Sequence, residues 1–269
     1  MFIDVVIPNY NRTALLKRAI LSALNQDGIN RIFLVDDGSS KETREFYAHI
    51  LELNDSIELI EHKHTGDPGV LRNLAINLSD ADWIAFLDSD DYWEPERIRK
   101  ITELLENRNL NLYCSNAKKL FEESANPTIP YLLNRPSKRF KVQDLLLENF
   151  VITSTVLVRR SALLDVGCFP TGERVKNCED FATWLRIATL DGCHFDSSTE
   201  VVYTYSEKSF SRNRGSNLDA QALSNFFIWI WVSSQPIVSK ISISFLVVKV
   251  RVSRFVRRLK TTLFQKVNK

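Results

Sequence analysis

Three carboxylates fall within four positions in the stretch WIAFLDSDDYWEPE, residues 83–96: Asp88, Asp90 and Asp91, interrupted only by Ser89. Like charges packed this closely repel unless something positive lies among them. Hard oxygen ligands suit Mg2+ or Mn2+, ions that keep part of their water shell and share a substrate's phosphates. A second acidic pair, Asp36 and Asp37, stands in FLVDDGSS. Any one of these acids reads as readily as a helix cap or a turn residue. Two clusters at one edge of a fold are harder to explain that way, and a metal-bound phosphorylated substrate follows. Which of Asp88, Asp90 and Asp91 touches the metal stays open at this stage.

The elements that must position these acids alternate along the chain. Ile3–Ile7 and Ile32–Val35 read as buried strands, as do 57–60, 83–87 and 110–114. Between them run amphipathic helices. Leu15, Leu16, Ala19, Ile20 and Ala23 mark one face behind a Thr13 cap. Ser39 with Glu42 makes a capping box for a second helix with Phe46, Ile50 and Leu53 inward. Leu71, Leu74 and Leu78 mark a third, and Pro95 suits the first position of a fourth that runs to about Glu106. Repeated strand and helix predict an α/β fold, a largely parallel sheet flanked by helices. Ligands of such sheets bind beyond the carboxyl ends of the strands, which is where Asp36, Asp37 and Asp88–Asp91 fall. Residues 118–140, with Pro127, Pro130 and Pro136, read as an irregular surface excursion with mobility. Strand character returns at 156–158 and 201–205, with a helix across Phe181, Trp184, Leu185 and Ala188.

The phosphate cradles of other nucleotide sites are missing. No G-x-G-x-x-G follows the first strand, and no G-x-x-x-x-G-K-[ST] occurs. The first strand ends instead in PNYNR, where Tyr10 offers a flat ring and Asn9 and Asn11 offer amides able to pair with a nucleobase. Arg72 in GVLRN is a candidate diphosphate clamp, or simply a helix arginine. NCEDFATWLR places Glu179 and Asp180 at the start of a helix, where the dipole favours anions whatever their role. Trp184 at helical spacing is core, and with Arg186 it forms the supporting helix. SFSRNRGSN, residues 209–217, reads as a solvated loop or as a cover over the diphosphate.

PNYNR, VDDGS, LRN, FLDSDD and EDFATWLR occur in the order found in family 2 inverting glycosyltransferases of the GT-A fold, which the chain resembles over about residues 3–210. The resemblance implies a nucleotide-sugar donor, usually a UDP-sugar, bound by Pro8, Asn9, Tyr10, Asn11, Asp37, Arg72, Asp88 and Ser89. It implies Mn2+ or Mg2+ held by Asp90 and Asp88, with Asp91 a further ligand, and Asp180 as the catalytic base. Asn9 stands where many relatives carry Thr or Ser, and 118–140 matches no motif of the family. The implied acceptor is a glycan or a polyprenol-linked sugar, in surface polysaccharide or glycolipid biosynthesis. The rivals are a nucleotidyltransferase, which lacks its glycine-rich N-terminal loop here, and a receiver-type domain, whose acids should follow the first strand. A non-catalytic nucleotide-sugar-binding or membrane scaffold protein is the rival of a different class, and the presence of Asp180 beside the DSDD segment speaks against it.

Composition bounds the rest. With 269 residues, 44% apolar and 25% charged, the chain can bury a full core. Residues 1–215 are expected to form the catalytic domain, with 1–117 holding the donor and 118–215 the acceptor, followed by a helical tail over 216–269. Cys114, Cys168, Cys178 and Cys193 lack paired spacing, which excludes a disulfide framework or zinc site and leaves core cysteines. MFIDVVIPNYN lacks the features of a signal peptide, so the chemistry is expected in the cytoplasm. The net charge of +2 is unevenly spread. No acid follows Asp219, whereas Lys240, Lys249, Arg251, Arg254, Arg257, Arg258, Lys260, Lys266 and Lys269 do. FFIWIWV and ISFLVV are too short and interrupted to span a bilayer, and from Ile237 bulky apolar residues interleave with the bases. A basic amphipathic segment on the cytoplasmic face of the inner membrane fits this pattern. A helix packed back on the domain with a basic outer face fits it too, and nucleic acid is not expected.

Overall fold

The computed structural model describes residues 1–121, 129–205, 216–233, 237 and 240–249. The expectations for 209–215 and for the tail from residue 251 lie outside the described residues. The first half of the chain alternates as read from the sequence: β1 (Ile3–Asn9), α1 (Ala14–Leu24), β2 (Ile29–Asp37), α2 (Lys41–Leu51), β3 (Ile57–His62), α3 (Pro68–Leu78) and β4 (Trp83–Phe86). Next come β5 (Tyr92–Trp93), α4 (Arg97–Asn107), β6 (Leu112–Ser115), β7 (Lys118–Phe121), β8 (Ile129–Pro130), β9 (Lys138–Phe140) and α5 (Val142–Leu147). A single 3-10 turn, Thr153–Thr155, leads into β10 (Leu157–Arg159) and α6 (Arg160–Asp165). The described part ends with α7 (Glu179–Ile187), β11 (Cys193–Asp196), β12 (Val201–Tyr205), α8 (Ser216–Val232) and a helical segment over 240–249.

Eight strands form one sheet in the order β3-β2-β1-β4-β10-β6-β11-β9. β1 to β4 run parallel, as apolar strands covered on both faces do. β10 enters antiparallel between β4 and β6. Alternate side chains of each strand serve opposite faces. Val6, Phe33, Ile84 and Phe86 pack under α3 and α7, while Val5, Ile7, Leu34 and Ala85 pack under α1 and α4. The register sets Asn9 opposite Asp36 and Val6 opposite Phe86, which brings the loops after β1, β2 and β4 to one edge. A second sheet, β5-β12-β7-β8, lies beyond the β4 loop.

Local readings differ in detail. Ser40, not Ser39, caps α2 by accepting the Thr43 N–H, and Thr13 makes no side-chain cap on α1. Tyr47 rather than Leu53 fills the inward face of α2, and Leu78 at the end of α3 is exposed. α4 starts at Arg97, two residues beyond Pro95, with Glu96 left-handed at its cap. The expected irregular excursion over 118–140 is largely built from β7, β8 and β9, with residues 122–128 outside the described part. Its prolines and mixed charge mask short strands, of which β8 and β9 are edges where half the backbone groups need no partner.

Candidate active site

The acids that open the sequence reading meet at the carboxyl edge of the sheet. Asp36 and Asp37 divide the work. Asp36 is buried, accepting the Tyr47 hydroxyl at 2.6 Å and the Ser39 N–H at 3.0 Å. Asn9 donates to that same hydroxyl at 2.8 Å and to the Arg12 carbonyl at 3.0 Å. Burial, reinforced by Asp36, pushes the Tyr47 phenol well above its ordinary range, so it remains a neutral donor. Asn9, 2% exposed, thus braces the loop after β1 from within. Asn11, at φ 52, likewise accepts the Ser40 N–H at 2.7 Å. Pro8 lies within β1 opposite Val35.

Asp37 reaches the loop after β3. Its carboxylate accepts the Thr65 N–H at 2.8 Å, the Thr65 hydroxyl at 3.0 Å and the Gly66 N–H at 2.8 Å. His64 lies 3.0 Å from the same group and stacks on Tyr10, the ring centroids 4.2 Å apart. Gly38 permits this approach, because at φ +70 a side chain there would meet the His64 backbone nitrogen at 2.6 Å. Tyr10 is exposed, so the Tyr10–His64 pair forms an open aromatic shelf beside Asp37. His64 carried no signal of its own in the sequence; only its place after an apolar strand points to this edge.

The DSDD segment separates into inward and outward members. Asp91 is buried, with one oxygen taken by the Ser154 hydroxyl at 2.5 Å and the other by the Thr204 N–H at 2.8 Å. Burial and then Asp90 and Asp88 raise its carboxyl well above the usual range. Asp91 therefore fastens the loop from within, both carboxylate oxygens held by protein groups, where the sequence expectation made it a further metal ligand. Asp88 and Asp90 remain at the edge, their side chains 34% and 31% exposed. Surrounding protein desolvates Asp90 and raises its carboxyl, Arg12 opposes this from 2.8 Å, and Asp88 adds to it. Arg12 also donates to Ser89 at 3.0 Å, and Arg18 holds the Asp90 carbonyl at 2.6 Å.

Two hard carboxylates at an open edge, already drawing guanidinium groups, fit a divalent ion that takes its other ligands from a diphosphate and water. Among the described residues no group of three or more His, Cys, Asp or Glu is arranged to hold a metal by itself. A protein-only cage is therefore absent there, and Asp88 with Asp90 is the donor set on offer.

Asp180 begins α7 on the far side of this edge, buried, with the Thr153 hydroxyl donating to it at 3.2 Å and the Phe181 N–H at 2.6 Å. Arg72 is buried between the two groups of acids. It donates to Asp88 at 2.9 Å and to Glu179 at 2.9 Å. The turn Thr153–Thr155 provides a second link. Thr153 serves Asp180, Ser154 serves Asp91 and accepts the Asp88 N–H at 3.1 Å, and Thr155 accepts the Ser115 N–H at 3.2 Å. Trp93 and Arg97 donate to the turn's own carbonyls at 2.9 and 2.7 Å. The sequence reading missed this turn. Its signal was a run of three hydroxyl residues enclosed by apolar ones, in VITSTVLV. As expected, Trp184 is fully buried against Phe86 and Phe169, and Arg186 ties α7 to Asn225 of α8 at 2.7 Å.

This is the architecture of GT-A glycosyltransferases. Chains of S. aureus TarS share it, one of them in complex with UDP-GlcNAc, at a TM-score of 0.74, 16% identity and coverage of 94% of this chain and 73% of that one. So does a mannosyltransferase of Pyrobaculum calidifontis in complex with GDP-Man and Mn2+, at a TM-score of 0.62, 15% identity and coverage of 96% and 75%. Residues 4–167 match Glycosyl transferase family 2, and the chain belongs to that family of enzymes. Among its relatives is the Escherichia coli UDP-Glc:alpha-D-GlcNAc-diphosphoundecaprenol beta-1,3-glucosyltransferase WfgD, 29% identical over 81% of this chain and 83% of that protein. The putative teichuronic acid biosynthesis glycosyltransferase TuaG of Bacillus subtilis is 23% identical over 69% and 71%.

Proposed function

We propose that this glycosyltransferase moves a sugar, with inversion, from a UDP-sugar to a glycan or lipid-linked acceptor in surface polysaccharide or glycolipid assembly. The observation that carries the reading is that the turn at 153–155 joins Asp180 to the Asp88 loop, while Arg72 ties Asp88 to the neighbouring Glu179. The base lies against the Tyr10–His64 shelf beside Asp37, and the diphosphate meets Arg72, Asp88 and Ser89. Mg2+ or Mn2+, held by Asp88 and Asp90, would neutralise charge on the departing diphosphate. Asp180 takes the proton of the acceptor hydroxyl as it attacks the anomeric carbon, and the UDP oxygen leaves with the electrons of the broken bond.

Asp90→Ala is expected to lose metal-dependent donor binding while keeping its fold, because the Asp90 side chain lies at the edge, 31% exposed. Calorimetry with UDP and Mn2+ measures this, and unchanged affinity would remove Asp90 from the metal site. A hydrolysis and binding screen of nucleotide sugars with Mn2+ identifies the donor; absence of turnover with every donor and acceptor tried would favour a binding protein.

The chain is also proposed to work at the cytoplasmic face of the inner membrane, with 1–215 as catalytic domain and 216–269 as a helical attachment. No helix among the described residues is long and apolar enough to cross a membrane. α8 buries Leu223, Phe226 and Ile230 yet exposes Ile228, Trp231 and Val232. The segment 240–249 buries Val247 and exposes Ile241, Phe245 and Val248. Helices apolar on both faces need a second apolar environment. The bases beyond Asp219 suit an anionic headgroup layer, whereas a second copy would bring like charge against like. Phe245→Glu with Trp231→Glu is expected to abolish sedimentation with vesicles rich in phosphatidylglycerol. Undiminished sedimentation would discard the apolar face as the attachment.

A further inference from the structure

Arg72 has two acidic partners at equal distance, but the two are not equivalent. Glu179 is 4% exposed, whereas the Asp88 side chain is 34% exposed and lies at the edge where a ligand would arrive. Among the described residues Glu179 Oε2 has no hydrogen-bond partner, and Arg72, at Oε1, is the cation there that compensates this carboxylate. Its neighbour Asp180 is a second buried acid. Removing the guanidinium from Glu179 would leave an uncompensated charge among buried groups, whereas Asp88 would be left in contact with water. Burial, then Asp180, raise the Glu179 carboxyl to about 7 against the pull of Arg72. The Arg72 guanidinium also lies over the Phe169 ring at 5.3 Å, which limits its swing. Glu179 in turn is seated close against α3, since a side chain on Gly69 would meet its Cγ at 3.1 Å.

We infer that Glu179 is the fixed anchor of Arg72, and that Asp88 is its exchangeable partner, yielding the Nη2 arm it now accepts from to the diphosphate of the donor. Glu179 is then a positioning residue for the nucleotide, acting through Arg72, and not the base. The inference rests on the donor reading above. It assigns the first acid of the Glu-Asp pair to donor binding and leaves the second to proton transfer.

The test compares UDP binding and steady-state kinetics for wild type, Glu179→Gln and Glu179→Ala. Glu179→Ala is expected to weaken UDP binding at least tenfold, with the loss falling mainly on the donor KM. Glu179→Gln keeps an acceptor oxygen for Nη1 and is expected to recover part of that loss. Should the alanine variant fail to fold, the isosteric glutamine carries the test, with UDP binding weakened about threefold or more. Unchanged UDP affinity in a folded variant overturns the anchor, as does a collapse of kcat in Glu179→Gln at unchanged KM, which would make Glu179 the base. If wild type itself binds no UDP under conditions where another nucleotide binds, the donor reading fails first, and the same comparison run with that nucleotide decides the anchor.

Discussion

Asp180→Asn is expected to bind a UDP-sugar as wild type does and to lose sugar transfer by about 10²–10⁴-fold, the usual contribution of a positioned general base. The substitution is isosteric, and its surroundings tolerate it. The Phe181 N–H can donate to the amide oxygen, and the Thr153 hydroxyl can turn to accept from the amide nitrogen. What disappears is the ability to take a proton at a group buried 3.2 Å from Thr153. Single-turnover transfer beside calorimetric UDP affinity separates the two effects. A variant that turns over normally would remove Asp180 from the chemistry, and one that no longer binds UDP would make it a donor contact.

Four residues along the same helix, Trp184→Ala is expected to cost roughly 3–5 kcal/mol of stability, the range for deleting a large buried aromatic. The indole is 0% exposed and packs against Phe86 of β4 and Phe169, at ring separations of 5.9 and 5.5 Å. Phe86 and Phe169 meet each other edge-on, so the gap cannot close without moving the strand that carries the DSDD loop. Denaturant unfolding gives the number, and a loss below about 1 kcal/mol would mean that the core refills the space. The pair of substitutions therefore distinguishes the two jobs of α7. One end of the helix carries Asp180, the proposed proton acceptor, and the middle fixes where that carboxylate stands.

The sheet was legible because its strands are buried on both faces, so that runs such as VVI and WIAF had no other reading. The acids were legible for a related reason. One acid after such a strand reads as a cap or turn residue, but two clusters after two strands of one sheet share an edge. Finer division was not legible. Asp90 and Asp91 are adjacent and identical in type, yet one faces the edge and the other is held by Ser154 and Thr204. Both partners lie more than sixty positions away, and no local pattern announces them. Asn9 shows the same limit, since its partner Tyr47 comes from α2. Ser39 was mistaken for the cap of α2 because Ser39 and Ser40 are neighbours. The structure uses the second for the helix and the first to receive the Asn11 N–H at 2.9 Å. The short strands over 118–140 escaped because pairs of two to four residues are too brief for periodicity to register.

The turn at Thr153–Thr155 has a consequence for how such a site can diversify. It works as a ruler: consecutive side chains reach opposite ends of the site, one to Asp180, the proposed proton acceptor, and the next to the loop of Asp88 and Asp91. The interval between those ends is set by the reaction itself, whichever sugar is carried. Surrounding loops can therefore vary to admit new acceptors while the ruler keeps its length. Under the proposed mechanism, inserting even one residue into it would displace Asp180 relative to the Asp88 loop, whichever sugar is carried.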